Sequence, residues 1–241
     1  MHDDLDPERV SRVVAALAVG ECDPQRSLCA ASAEVVGVSG AGIVLVSAGR
    51  MLGSVCVSDT LVEAVEELQF TLGEGPCVDA FRTRKPVLAP DLAAAEMVKW
   101  PGFRAGAVAA GTRAAFGFPL LIGDSCIGAL NLFRDSSGPL RDDQYLDALV
   151  VARVASRTVM GWQSIAGSDS LAWQLEQVPA HRAVVHQASG MISVQAGVPV
   201  DDALVLLRAH SFASGRTMST VASDVVNRLL VFDGVGPERD G

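Results

Sequence analysis

Two apolar runs, Ala114 to Leu121 and Cys126 to Phe133, flank the dipeptide Gly123-Asp124, and that arrangement constrains the fold more than any other feature of the chain. Gly-Asp between strand-forming runs is a hairpin-turn signal, so the two runs are expected to pair antiparallel. Gly42 to Ser47 and Met51 to Ser58 form a second pair around Ala48-Gly49-Arg50, and Pro86 to Leu88 reads as a further short strand. Helical spacing surrounds the strands. Val10, Val13, Val14 and Leu17 recur at i, i+3, i+4 and i+7 within residues 5–20, with Gly20 at the stop. Thr60 and Glu63 make a capping-box pair ahead of a helix whose apolar face is Leu61, Val65 and Leu68. Gly73 to Cys77, GEGPC, reads as a compact turn. Arg141 to about Ile165 is one long helical pattern, roughly 35–40 Å in length, with Leu146, Leu149, Val150 and Val154 on one side.

Gly167-Ser168-Asp169-Ser170 breaks that helix. Beyond it, Pro179 is placed to open a helix with Val184, Ala188, Met191 and Ile192 on one face, ended by Gly197 and Pro199. Asp201 and Asp202 suit the positive end of a second helix that turns Ala203, Leu206 and Leu207 inward and stops at Gly215. Thr217 or Ser219 can cap a third, with Val221, Ala222, Val225 and Leu229 on its stripe. The class is therefore α/β in the α+β sense: an antiparallel sheet with flanking helices over residues 8–165, a linker at 166–170, an all-α three-helix module over 171–233 and a disordered tail at 234–241.

Composition narrows the function. The chain is 49% hydrophobic and 20% charged, a globular balance, and runs such as Ile43 to Val46 are too short to span a membrane. The opening MHDDLDPERV lacks the basic flank of a signal peptide, so a cytoplasmic protein without membrane association is expected. Five cysteines, an odd number without CxxC spacing, argue for buried structural thiols rather than a disulfide framework or zinc site. A redox switch is the sharper alternative and requires an accessible, acidified thiol. The net charge of −9 disfavours broad nucleic-acid binding, but residues 171–233 hold four arginines against five carboxylates and are close to neutral. The N-terminal half has one histidine, His2, and the chain shows no Ser/His/Asp set, phosphate loop or dinucleotide fingerprint, so catalysis is not expected.

GEGPC with Asp79-Ala80, Pro86-Val87, Pro90-Asp91-Leu92, Trp100-Pro101, Phe103, FPLLIG and CIGALNLF resembles a GAF domain across about residues 8–160. The resemblance implies a central antiparallel sheet and a small-molecule pocket on one face, for which Phe70, Cys77, Trp100, Phe103, Phe116 and Asn131 are the candidate lining residues. From HQASGM onward the chain resembles an ANTAR domain, the three-helix module of transcription antitermination regulators. That match rests on Gln187, Ala188, Gly190, Met191, Ala203, Leu206, Leu207, Arg208, Gly215-Arg216 and Val221-Ala222. Where the family commonly has a lysine, this chain has Ser189, one phosphate contact fewer.

The two resemblances together imply a regulator that senses a small ligand or redox state and binds a hairpin in nascent RNA. Its candidate RNA contacts are Arg182, Gln187, Ser189, Gly190, Arg208 and Arg216. A homodimer would multiply weak single contacts. Gly190 sits mid-helix, where glycine costs about 1 kcal/mol, so either close packing or RNA approach must offset it. Phe212 is expected in the core. Two rival classes stay open: a thiol-dependent free methionine sulfoxide reductase using Cys77 and Cys126, and a switch whose C-terminal helices bind protein instead of RNA.

Overall fold

The computed structural model describes residues 6–17, 24–47, 50–165 and 180–232. The chain divides into two compact units, Met1–Trp173 and Gln174–Gly241. The expected linker at 166–170 and tail at 234–241 lie outside the described residues.

The first unit is built on a five-stranded antiparallel sheet of order β2-β1-β5-β4-β3. Its strands are β1 (Gly40–Ser47), β2 (Arg50–Val57), β3 (Val87–Ala89), β4 (Ala114–Ile122) and β5 (Ser125–Arg134). The expected hairpin closes with Ile122 opposite Ser125, and Gly123 takes φ 56° in the turn. Alternation then sorts the side chains. Ala114, Phe116, Phe118 and Leu120 of β4 join Leu130 and Leu132 of β5 and Ala41, Ile43 and Leu45 of β1 on one face. Covering it are α1 (Pro7–Leu17), α2 (Pro24–Val36) and α6 (Asp142–Ile165). Ala115 and Phe133 point the other way, toward α3 (Thr60–Leu72) and α5 (Pro101–Ala109). On that same side α4 (Pro76–Thr83) lies on β4, where a Cβ at Gly117 would stand 2.5 Å from the Pro76 carbonyl oxygen. Both faces are covered, which is why the central strands read as continuous apolar runs.

Several helical faces differ from the sequence reading. In α3 the buried residues are Val62, Val65, Glu66, Gln69 and Phe70, while Leu61 is 37% exposed. Its N-cap is Asp59, whose carboxylate accepts the Val62 N–H at 3.0 Å, so the expected Thr60 box is displaced by one residue. In α6 the buried stripe is Ala148, Val150, Val151, Ala152, Ala155 and Val159; of the expected face Val150 is buried, while Leu146 turns out to solvent. Small residues let α6 lie close on the sheet, with Tyr145 against Phe118 at 5.7 Å between rings. The helices α2, α4 and α5 have no counterpart in the sequence reading. α4 and α5 are short and each opened by a proline, and α2 buries a run of small residues with little periodicity.

The helical layer is tied together by polar contacts. Arg9 and Arg12 of α1 both pair with Asp147 of α6, the latter at 2.6 Å. Gln144 of α6 donates from Nε2 to the carbonyls of Val36 (2.8 Å) and Gly37 (3.1 Å), clamping the end of α2. Against expectation, two cysteines are bonded: Cys29 of α2 and Cys56 of β2 form a disulfide. The sequence offered no pairing signal, because the two lie 27 residues apart and meet only once α2 packs on the sheet. In the chain-entropy account, closing a loop of that length contributes about 3–4 kcal/mol.

The described residues of the second unit form three helices, α7 (Ala180–Ala196), α8 (Val200–Ser214) and α9 (Met218–Val226). Its core is Val185, Ala188, Ile192, Ala203, Leu207, Met218, Val221, Ala222 and Val225, with Ser189 and Ser211 buried among them. Gly197 and Gly215 end the first two helices at φ 66° and 63°, and Thr217 caps the third through the Thr220 N–H at 3.2 Å. Val184 and Met191 are only half-buried and Leu206 is 37% exposed. Leu229 falls beyond the end of α9 and is 77% exposed, so it drops out of the expected stripe. Phe118→Ala is expected to destabilise the first unit by about 3–5 kcal/mol. Val194→Ala, at an 84% exposed position, should stay within about 0.5 kcal/mol. Denaturant unfolding of the full chain measures both.

Candidate functional site

The sheet face beneath α3 and α4 carries the first unit's polar chemistry. Glu66 of α3 is wholly buried. Its carboxylate accepts from Asn131 Nδ2 of β5 at 2.7 Å and from Ser54 Oγ of β2 at 2.5 Å. Register explains how the group fits. Gly42, Asn131 and Gly117 stand side by side on β1, β5 and β4. A Cβ at Gly42 would lie 2.4 Å from Glu66 Oε1, and the space at Gly117 belongs to Pro76. One polar side chain thus stands between two glycines, with a carboxylate over one and backbone over the other. Asn131 Oδ1 is buried without a hydrogen-bond partner. None of Glu66, Ser54 or Gly42 was among the sequence candidates. The legible signal was the spacing Val62, Val65, Glu66, Gln69, Phe70, which puts two polar residues inside an apolar helical stripe.

GEGPC turns out to be the joint of this face. Glu74 Oε2 accepts the N–H groups of Gly102 (3.1 Å) and Phe103 (3.3 Å) and so caps α5. Gly75 adopts φ 127°, where a side chain is strained and a Cβ would also meet Gln69 Oε1 at 2.3 Å. That same oxygen accepts the Cys77 N–H at 2.9 Å. Of the expected lining residues, Phe70, Cys77, Trp100, Phe103 and Asn131 come from α3, α4, α5 and β5 on this side and are buried. Phe116 does not join them. Alternation along β4 turns it to the opposite face, into the core under α6, with Arg134 over its ring at 5.7 Å. Two open clefts lie elsewhere, one of 350 Å³ beside Arg134 and Arg141 and one of 530 Å³ between α1 and α2.

Burial pushes the Cys126 thiol above its ordinary range, against the opposing pull of Arg84. Cys77 lies in the first turn of α4, whereas Arg84 caps its far end, roughly 10 Å away along the helix. Among the described residues no group of three or more His, Cys, Asp or Glu is arranged to hold a metal ion.

In the second unit Gln187, Gly190 and Val194 follow i, i+3, i+7 on α7, opposite the buried face. A Cβ at Gly190 would meet nothing within 4 Å, so helix packing does not explain this glycine. Ser189 is the contrary case. It is 2% exposed and its hydroxyl donates to the Val185 carbonyl at 2.8 Å, so it faces the core and has no surface from which to touch RNA. Arg208 lies on α8 one turn before Phe212, which is 75% exposed rather than in the core. Arg216 pairs with Asp224 of α9 at 2.6 Å. The Arg182 side chain lies outside the described residues. The candidates thus gather as Gln187 with Gly190 on α7 and Arg208 with Phe212 on α8, while Arg216 stands at the joint of α8 and α9.

The sequence profile of the GAF domain matches residues 25–151, and that of the ANTAR domain matches residues 173–226. The chain belongs to the GAF domain family and carries an ANTAR domain behind its GAF domain. No curated protein sequence matches it. Among solved structures, the GAF domain of an Acinetobacter phosphoenolpyruvate-protein phosphotransferase matches at 12% identity and TM-score 0.52, over 66% of this chain and 95% of that one. The GAF domain of the Coxiella burnetii phosphoenolpyruvate-protein phosphotransferase matches at 9% identity and TM-score 0.50, again over 66% and 95%. Both likenesses concern the fold alone.

Gly42→Ala should destabilise the first unit by about 1–3 kcal/mol, because the added methyl meets the Glu66 carboxylate. Combined with Glu66→Ala it should cost less than the two single changes added, a non-additivity that denaturant unfolding reads directly. Since the Cys126 pKa is raised, its reactive thiolate forms only at higher pH than in a free thiol. Iodoacetamide should therefore alkylate Cys126 more slowly than free cysteine at pH 7, with the rate still rising above the usual thiol range.

Proposed function

We propose that the chain is a signal-responsive regulator of transcription antitermination. Its ANTAR helices bind a hairpin in nascent RNA, and its GAF domain governs that binding in response to a small ligand or to redox state. The carrying observation is the succession of the two domains in one chain, a sensing fold followed by an RNA-regulatory one. Surface chemistry supports it. Gln187 and Gly190 leave an open helical stripe, and half-buried Arg208 stands one helical turn before exposed Phe212, so one helix carries both a cation and an aromatic ring, the residue types that unstacked RNA bases use. The unmatched Asn131 Oδ1 supports a small ligand with a hydrogen-bond donor, since a buried unpaired acceptor costs about 1–3 kcal/mol.

The reading places the protein in the cytoplasm, where transcripts emerge, and takes it as a homodimer so that two weak modules engage paired hairpins. No described helix is long and apolar enough to cross a membrane. Thiol-dependent methionine sulfoxide reduction is the weaker reading, because Cys77 is buried and the Cys126 thiolate is disfavoured.

Electrophoretic mobility shifts with a pool of structured leader RNAs test the proposal. A retained RNA whose affinity falls with salt is expected, and Arg208→Ala should weaken it and lower the salt slope by about 1. Arg216→Ala is the companion variant, at a cation that pairs with Asp224. No retention at low salt would sink the reading.

A further inference from the structure

We propose that Cys29 and Cys56 form a reversible disulfide, a redox modification site at which a dithiol reductant loosens α2 from the edge strand β2. The backbone aims the pair. In β2, Ile43 stands opposite Cys56 and Val44 opposite Ser54, so Val55 is an extra residue in the strand. Ser54 turns to Glu66 on the α3 side, and strict alternation would send Cys56 the same way. The bulge at Val55 turns it over instead. Val55 and Cys56 both face the core shared with α2, and Val57 returns to the α3 side. Bulges re-aim side chains in this manner, and this one sets the Cys56 sulfur on Cys29 with their Cα atoms 5.9 Å apart.

The bond also has a mechanical position. Besides its apolar packing on β1, β2, α1 and α6, α2 carries two specific ties. Gln144 of α6 grips its C-terminal end through the Val36 and Gly37 carbonyls, and the disulfide fixes Cys29 to β2, an edge strand of the sheet. Cutting the disulfide leaves α2 packed on α6 and β1 and loosens it from the edge strand β2. The modification thereby alters how the first part of α6 is braced, and α6 is the helix that leads in sequence toward the ANTAR domain.

Reduction proceeds by exchange. A thiolate of the dithiol attacks Cys56 Sγ, a new S–S bond forms to it, the Cys29–Cys56 bond breaks, and Cys29 leaves as a thiolate that takes a proton. The second sulfur of the dithiol then displaces Cys56, which is protonated in turn, and the reductant departs as a cyclic disulfide carrying two fewer electrons. The oxidised dithiol runs the same steps backward. Cys56 is the sulfur attacked because it keeps 6% of its surface on the edge strand, whereas Cys29 keeps none. Such burial makes exchange wait on local opening of β2, so it is slower than at an exposed disulfide. Cys77, on the opposite side of the sheet in α4, and Cys126, at the β4–β5 turn, take no part.

The inference rests on the first unit being the sensing half, and its test needs no RNA, so it fails or stands apart from the antitermination reading. The full chain is equilibrated in buffers of reduced and oxidised dithiothreitol, quenched with acid, unfolded and tagged with a maleimide of known mass. The chain has five cysteines, so the expected result is a reversible step between five tags and three. Cys29→Ala and Cys56→Ala, each a small apolar replacement, should abolish the two-tag step, and Cys126→Ser should keep it with one tag fewer. Reduction should also speed amide exchange in α2 about tenfold or more. Five tags in every buffer would overturn the proposal. So would three tags throughout in the folded protein, a two-tag step that survives Cys29→Ala, or an α2 whose exchange ignores reduction.

Discussion

Burial of β5 on both faces is the constraint on which the first unit depends. Leu130 and Leu132 press into the core under α6, while Asn131 and Phe133 point to α3 and α5. A strand covered on one side only would tolerate polar residues at every second position. Here the second face must be made tight as well, and it is made so by subtraction. Gly42 and Gly117 flank Asn131 in register, and into the volume they leave come the Glu66 carboxylate and the Pro76 backbone. The buried polar cluster is therefore a consequence of close helix–sheet approach, and it sits where the family likeness leads one to look for a ligand.

The other layer works by a different economy of space. Ala148, Ala152 and Ala155 bring α6 near the strands, and polar ties from Gln144 and Asp147 gather α2 and α1 onto it. Together with the Cys29–Cys56 bond they join the helical layer to both the centre and the edge of the sheet. A helix held in this way can register changes at the sheet, which is what a sensor coupled to a following output domain requires.

Much of this was legible in the sequence, and the misses share a physical cause. The hairpin at Gly123-Asp124, the other strands and the C-terminal helices with their stops at Gly197 and Gly215 follow from turn chemistry and from period, both local properties. Helical faces were less secure. In α3 and α6 large residues such as Leu61 and Leu146 drew the expected face toward themselves, while burial went to small and even polar residues that fit the sheet. Phe212 and Ser189 reverse in the same sense, the aromatic ring outward and the hydroxyl inward, because Ser189 satisfies its hydroxyl on the Val185 carbonyl within its own helix. The Cys29–Cys56 bond and the Glu66 cluster join residues far apart in sequence, and no window along the chain displays them.

In the proposed regulator, sensing and RNA binding are divided between two units of one chain. Amide hydrogen exchange of the full protein with and without a retained hairpin RNA tests that division most directly. Slowed exchange is expected on α7 and α8 about Gln187, Gly190 and Arg208, with the strands of the first unit little changed. Slowing confined to residues 6–165, with α7 and α8 untouched, would contradict it.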